Sequence, residues 1–341
     1  MRILFIKFGG IGDVIQAAAA LSAFRIENPE FHVEWVVGEG IAPLLSKMAV
    51  ADKIHAIDDQ SLVTGPTLKR AWILVKVAFF LSSQGKFNQV IVGYNNWKYR
   101  LLPAFVQRNQ TRHFSSQSNR PSPLQHRSRV YEYFRLLTSE EGKELNITKA
   151  MQTIGTTLSE ALQSPACFLP DKYIVIVPGG AKNHISDDFL RRWPIEHYRS
   201  LSEKLIREGA NIVIAGGPDD TWVSDTFTDL PIYDLVGKID LLELFSVMNV
   251  SQMVITHDTG PLHMAVMSKA PLIAVFGPTP CHAIIPAGRE KTIIHHALYS
   301  VPCAPCYSGK NYAPCDRPLC MENVKPEHVF NSAKQFMRKS T

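Results

Sequence analysis

Short apolar runs alternate along the chain with longer stretches whose apolar positions recur at helical spacing. Arg2–Phe8 is an apolar run that predicts a buried first strand, and a glycine turn follows it. Asp13–Glu27 is alanine-rich and predicts a helix stopped by Asn28-Pro29. Phe31–Val37 is β-rich and ends at Gly38 and Gly40; Lys53–Ile57 and Gln89–Val92 predict further strands, with the amphipathic stretch Leu68–Ser82 as a helix between them. Strand–helix alternation of this kind predicts a parallel sheet covered by helices on both faces.

The alternation then lapses and restarts. From about Gln107 to Gln125 the chain turns to Ser, Gln, Asn, Arg and Pro, which predicts a long loop. Asn146–Gln163 predicts a helix and Ser164-Pro165 a linker. A second series follows: strands at Tyr173–Val177, Asn211–Ala215, Met253–Thr256 and Pro271–Phe276, and helices at Pro194–Glu208 and Leu241–Met248. Pro194 stands at the first helical position of its helix and Gly209 just past its end. With 341 residues, the chain exceeds what one core supports, so two α/β domains are expected: 1–165, 166–324, and a C-terminal helix at 325–341 that could pack back on the first. No short repeat period is present.

Composition narrows the function classes. Hydrophobic residues make up 45% and charged residues 20%, as in an ordinary globular protein. A net charge of +5 suits an anionic ligand but is too diffuse to argue for nucleic acid. Lys7 interrupts the first apolar run and Gly9-Gly10 ends it without a cleavage site, so no signal peptide is expected. The run Ala71–Leu81 contains Lys76 and falls short of the ~20 residues a membrane span needs.

Three motifs carry candidate chemistry. Gly9-Gly10-Ile11-Gly12-Asp13 lies between a strand and a helix, where unpaired amides and the helix dipole favour an anion. A dinucleotide fingerprint begun at Gly10 would need glycine where Ile15 stands, which counts against a nicotinamide or flavin enzyme. Asp13 reads either as a helix-start acid complementing the dipole or as a general base at the carboxyl end of the sheet. Gly179 and Gly180 permit close approach of a ligand after a strand, and Arg191-Arg192-Trp193-Pro194 presents two guanidinium forks suited to a diphosphate, with a solvated basic loop as the alternative. Most informative is His257-Asp258-Thr259-Gly260-Pro261-Leu262-His263. It ends a strand, caps a helix with Thr259 or Gly260 and puts an imidazole in the first turn, assembling donors for a diphosphate leaving group.

Six cysteines occur, four of them as Cys303, Cys306, Cys315 and Cys320. Their Cys-x2-Cys opening has metal-ligand spacing, but the second pair does not complete a zinc-ribbon pattern. Packing thiols are expected there, with a structural metal site as the alternative. Arg108, Arg112, Arg120, Arg127, Arg129 and Arg135 lie in or after the polar loop, as a solvated basic surface or a landing site for an anionic acceptor.

Taken in order, Ile11-Gly12-Asp13-Val14, Arg192-Trp193-Pro194, Gly216-Gly217-Pro218, Asp258-Thr259-Gly260-Pro261-Leu262-His263 and Phe276-Gly277-Pro278-Thr279 resemble glycosyltransferase family nine, whose best-known members are ADP-heptose:lipopolysaccharide heptosyltransferases. The resemblance spans nearly the whole chain. It implies a GT-B fold, two Rossmann-like domains facing a central cleft, with acceptor on the N-terminal half and ADP-sugar, ADP-heptose first among them, on the C-terminal half. It implies inverting transfer with Asp13 as general base, Arg191 assisting departure of the nucleotide, and no required cofactor or metal. Donor contacts are expected from Gly12, Gly179, Gly180, Arg191, Arg192, Lys238, Asp258, Thr259, Gly260 and His263, and acceptor contacts from Arg120, Arg127 and Arg129. A lipopolysaccharide or other lipid-linked saccharide acceptor would bring the protein to the cytoplasmic membrane face. A sugar-nucleotide epimerase or hydrolase, or a non-catalytic nucleotide-sugar binding protein, are the alternatives on the same scaffold.

Overall fold

The structure is a computed structural model that describes residues 1–94, 97–114, 127–139, 145–162, 165, 168–181, 187–296, 301–308 and 311–338. The chain divides into two compact units, Met1–Leu158 and Ser159–Thr341.

The first unit is built on a parallel sheet of β1 (Arg2–Ile6), β2 (His32–Gly38), β3 (Lys53–Ile57), β4 (Phe87–Val92) and β5 (Arg108–His113), in the order β3-β2-β1-β4-β5. Ile3 pairs with Val33 on one side and Gln89 on the other, which makes β1 a central strand with every residue after Arg2 buried. The helix Ile11–Glu27 follows β1. Its Ala17, Ala18, Ala19 and Ala20 are all fully buried, and it packs against the helix Arg129–Thr138. Alanine is what allows this close approach: it brings no side-chain bulk and the best helix propensity.

β5 corrects the sequence reading. Arg-Asn-Gln-Thr-Arg-His lacks every hydrophobic signal of a strand, yet it pairs in parallel with β4, from Phe87 opposite Arg108 to Val92 opposite His113. An edge strand has one neighbour and exposed faces, so main-chain pairing and not burial holds it, and its composition stays polar.

The second unit has a six-stranded parallel sheet of β6 (Ile174–Val177), β7 (Ile212–Ile214), β8 (Ile232–Asp234), β9 (Met253–His257), β10 (Leu272–Phe276) and β11 (Thr292–His296), ordered β11-β10-β9-β6-β7-β8. β6, β9 and β10 are buried along their whole length and read as continuous apolar runs, as parallel strands covered on both faces do. The two edge strands, β8 and β11, escaped sequence reading for the same reason as β5. The last helix, Pro326–Arg338, packs on the helix Ile195–Arg207 and on β10 and β11, and puts Val329 and Ala333 into the core of the second unit. No helix among the described residues is long and apolar enough to cross a membrane.

Candidate functional site

In each unit the first strand of the sheet is flanked on opposite sides by strands that precede and follow a reversal in winding order. Such a switch point opens a crevice at the carboxyl ends of the strands, where ligands of α/β sheets bind. In the first unit it lies between β1 and β4, in the second between β6 and β9.

At the first switch point the chain leaves β1 through Lys7. That side chain turns inward, with the residue only 4% exposed, and its Nζ lies 2.8 Å from Asp13 Oδ2 and 4.3 Å from the centroid of the Tyr94 ring. Burial works against the ammonium. The Asp13 carboxylate, followed by Tyr133 and Tyr94, outweighs it and holds the Lys7 pKa above its ordinary value. Asp13 itself is not engulfed: its side chain is 44% exposed, with Oδ2 resting on the buried cation. The backbone around it is fixed. The Tyr94 hydroxyl accepts from the Phe8 and Gly9 amides at 2.9 and 3.3 Å, and Gly10 adopts φ 81° at the helix start, a left-handed conformation that favours glycine. Gly12 lies in the first turn of the same helix.

The arginines expected to contact an acceptor divide. Arg120 lies outside the described residues. Arg127 is tied to the fully buried Glu132 at 3.3 Å, a carboxylate that Arg135 also holds at 2.8 Å. Arg129 opens the helix packed against that of Asp13, and its charge acts on the buried Tyr133 hydroxyl together with those of Asp13 and Lys7. Burial and the Asp13 carboxylate push the Tyr133 pKa upward and keep the phenol protonated. Lys7, Tyr94 and Tyr133 were not among the sequence candidates. Lys7 had shown its signal, a lone cation inside an apolar strand, without its meaning.

At the second switch point three contacts converge on Gly180. Its amide donates to Asp220 Oδ1 at 2.7 Å, its carbonyl accepts from Arg192 Nε at 2.8 Å, and a Cβ there would stand 2.1 Å from Thr259 Oγ1. Gly180 has φ 84° and Ala181 φ 55°. Gly179 is equally confined, since its Cβ would meet Asp220 Oδ1 at 2.6 Å. Asp220 also accepts from the Gly217 amide at 2.9 Å, so one buried carboxylate ties the turns after β6 and β7 together. Sequence reading missed Asp220; its position three residues after Gly217 was the available signal.

Thr259 occupies the N-cap of the helix Gly260–Met267, but its hydroxyl makes no cap. It accepts from the Ala181 amide at 3.0 Å, across to the turn after β6. No side-chain cap occupies this helix start; Pro261 has no N–H and the Leu262 amide donates to the Thr259 carbonyl at 3.1 Å, so the start offers an anion the Gly260 amide and the helix dipole. His263 is buried in the first turn. Asp258 is buried with Arg191 Nη1 3.5 Å away, and Arg191 also pairs with Asp188 at 2.8 Å. Burial opposes the Arg191 charge, while Asp258, Tyr312 and Asp188 outweigh it and raise its pKa. Arg191 Nε is buried with no hydrogen-bond partner among the described residues. Tyr312, from the cysteine-rich segment, thus stands beside the Arg191–Asp258 pair, and burial pushes its own pKa up.

His257 is buried with Nδ1 2.9 Å from the Tyr198 hydroxyl; burial, then the charges of Arg191 and Arg192, push its pKa down to about 3. Trp193 is a core anchor: it is buried and donates to the Val324 carbonyl at 2.7 Å. Lys238 bonds back to the Asp234 carbonyl at 2.9 Å beside β8. Gly277 would bring a Cβ to 2.6 Å from Met321 Sδ and 2.8 Å from Cys320 Sγ, which couples the Phe-Gly-Pro-Thr block to Cys320-Met321. Burial and the neighbouring Cys306, Cys303 and Cys315 push the Cys320 thiol up to about 11. Cys303, Cys306, Cys315 and Cys320 are free, and no group of three or more ligand-type side chains among the described residues is arranged to hold a metal.

The family model for glycosyltransferase family 9 (heptosyltransferase) matches residues 85–312. A lipooligosaccharide heptosyltransferase 2 of Haemophilus influenzae is 23% identical over 318 residues, covering 86% of this chain and 88% of its own. Among solved structures, a glycosyl transferase family 9 protein from Veillonella parvula superposes with TM-score 0.72 at 19% identity, covering 99% of this chain and 97% of its own. The Escherichia coli heptosyltransferase WaaC with ADP gives 0.67 at 20% identity with both chains fully covered. These structures share the GT-B architecture, and both units here have its parallel-sheet α/β construction.

Proposed function

Because the chain belongs to glycosyltransferase family 9, the heptosyltransferase family, we propose that it transfers a heptose from ADP-heptose to a hydroxyl of a lipopolysaccharide core acceptor with inversion. The relatives named for this activity, and the bacterial enzyme solved with ADP, supply the substrate classes. The observation that carries the mechanism is the half-exposed Asp13 carboxylate resting on the buried Lys7 ammonium at the first switch point.

Asp13 acts as general base. It takes the proton of the acceptor hydroxyl as that oxygen bonds to the anomeric carbon from the face opposite the leaving group. The bond from the anomeric carbon to the β-phosphate oxygen breaks and ADP departs with the electron pair. The negative charge that develops on the diphosphate is met by the Gly260 amide and the dipole of the helix Gly260–Met267, by the glycine turn at Gly179 and Gly180, and by the Arg191 and Arg192 guanidiniums. His263 and Asp258 shape that pocket, and Lys238 extends it toward β8. With fixed cations in these roles, charge neutralisation requires no metal. Arg129 and Arg127 orient an anionic acceptor near Asp13, and Arg120, outside the described residues, is expected to add a contact to it.

Asp13→Ala is the deciding variant. Transfer to a core saccharide acceptor is expected to fall by about 10²–10⁴-fold, while ADP binding followed by calorimetry stays unchanged. Retention of most turnover would remove Asp13 from the mechanism. Donor incubated without acceptor is expected to persist; its rapid, stoichiometric loss would instead identify a hydrolase or epimerase.

A further inference from the structure

The helix Thr67–Ser82 is apolar on two opposite faces. Ile73, Val77 and Leu81 are buried in the core of the first unit. Leu68, Trp72, Val75 and Phe79 are 86, 56, 65 and 77% exposed. At about 100° per residue these four fall within one narrow stripe on the side opposite the core. A surface helix normally turns its polar side outward, so an outward apolar stripe marks a face with a partner.

Charge indicates which partner. The helix contains no Asp or Glu, and Lys69 and Lys76 border the stripe, Lys69 with Asp58 3.7 Å away and both exposed to the surface. Lys76 Nζ lies 3.8 Å over the Trp72 ring, so an indole and an ammonium share the rim between apolar and wet surroundings. The 3-10 turn Leu102–Phe105 packs against this helix and adds Leu101 and Phe105, each more than half exposed. Beside that turn, a cavity of about 430 Å³ is lined by Arg100, Arg108, Thr111 and His113, with no acidic residue among the described residues of its wall. An apolar stripe edged by lysines and continued by an arginine-lined recess matches a bilayer interface, where acyl chains take the apolar side chains and anionic headgroups the cations.

We propose that the outer face of Thr67–Ser82, continued by Leu101 and Phe105, docks this protein on an anionic lipid bilayer, with headgroup phosphate received by the Arg100–Arg108 recess. The proposal gives a surface to the lipid-linked acceptor of the preceding reading, and its physics does not depend on that reading. Sedimentation of the full chain with vesicles of phosphatidylcholine, with and without phosphatidylglycerol, tests it. Binding is expected to the anionic vesicles and to weaken by about tenfold or more in Trp72→Ser/Phe79→Ser and in Lys69→Glu/Lys76→Glu, with unchanged circular dichroism and melting temperature. Arg100→Ala/Arg108→Ala should weaken binding to anionic vesicles alone. Binding that ignores the Trp72 and Phe79 substitutions overturns the proposal. So does a concentration-dependent dimer in sedimentation velocity that the same substitutions abolish, since the stripe would then belong to a second copy. Asp13→Ala should bind vesicles like the unaltered protein, so failure of the transferase reading leaves this result standing.

Discussion

Lys7 Nζ lies 2.8 Å from Asp13 Oδ2, joining the residue that leaves β1 to the first turn of the helix that follows. The pair is asymmetric, with side chains 5 and 44% exposed: the cation is buried and the carboxylate lies at the surface. In the proposed reaction Lys7 is a positioning residue that holds the Asp13 carboxylate in place. Lys7→Met is expected to lower kcat by about 10-fold or more with ADP affinity unchanged, and to add little further loss in an Asp13→Asn background. A double-mutant cycle on kcat checks this, and additive losses would separate the two residues.

Gly180 has neither the space nor the backbone for a side chain. Gly180→Ala is expected to cost about 2–4 kcal/mol, from the collision with Thr259 and the left-handed φ together, and to abolish ADP binding. Gly209 shares the positive φ, 83°, with nothing near its Cβ. Gly209→Ala should therefore cost only about 1 kcal/mol. Denaturant unfolding of the two variants separates steric from conformational cost; equal losses would mean that the Thr259 contact is unimportant.

Arg191 serves Asp258 and, in the proposed reaction, the diphosphate. Arg191→Ala strands a buried carboxylate and is expected to cost about 2–4 kcal/mol of stability. Adding Asp258→Asn should restore most of the stability but none of the ADP affinity, which is expected to stay about 10²-fold weakened. Calorimetry and thermal unfolding on the same samples read both quantities. Recovery of ADP binding in the double variant would show that Arg191 acts only through Asp258.

His257 predicts a pH dependence. Its folded-state pKa is about 3 against an ordinary 6.5, so the unfolded chain binds the extra proton between those values. The stabilisation from keeping the imidazole neutral is complete above about pH 6.5. It is lost progressively as pH falls toward 3, by a few kcal/mol in all. Unfolding free energies measured between pH 8 and 4 should decline more steeply for the unaltered protein than for His257→Asn. Parallel declines would rule out His257 as the source.

Much of this organisation was legible before any tertiary structure. Largely apolar runs marked the central strands of both sheets, because a strand covered on both faces has few polar positions. Glycine pairs after β1 and β6 marked the turns where the chain must approach a ligand or a neighbour, and the Asp258–His263 block marked a helix start. The edge strands β5, β8 and β11 left little trace, since main-chain pairing with one neighbour demands no particular side chains, whereas the edge strand β3 was legible from its alternating Ile54 and Ala56 with Ile57.

What tertiary structure alone decided is who stands beside whom. Lys7 read as an interruption in a strand until the fold put Asp13, Tyr94 and Tyr133 around it. Thr259 read as a cap for its own helix, but its hydroxyl serves an amide 78 residues earlier in the chain. Leu68–Ser82 read as amphipathic, although only its packing shows which apolar positions meet the core and which face outward. Periodicity and turn chemistry are local and repeat along the chain, so sequence discloses them. Pairings between distant charges and hydroxyls depend on winding order and register, which emerge only when the strands assemble.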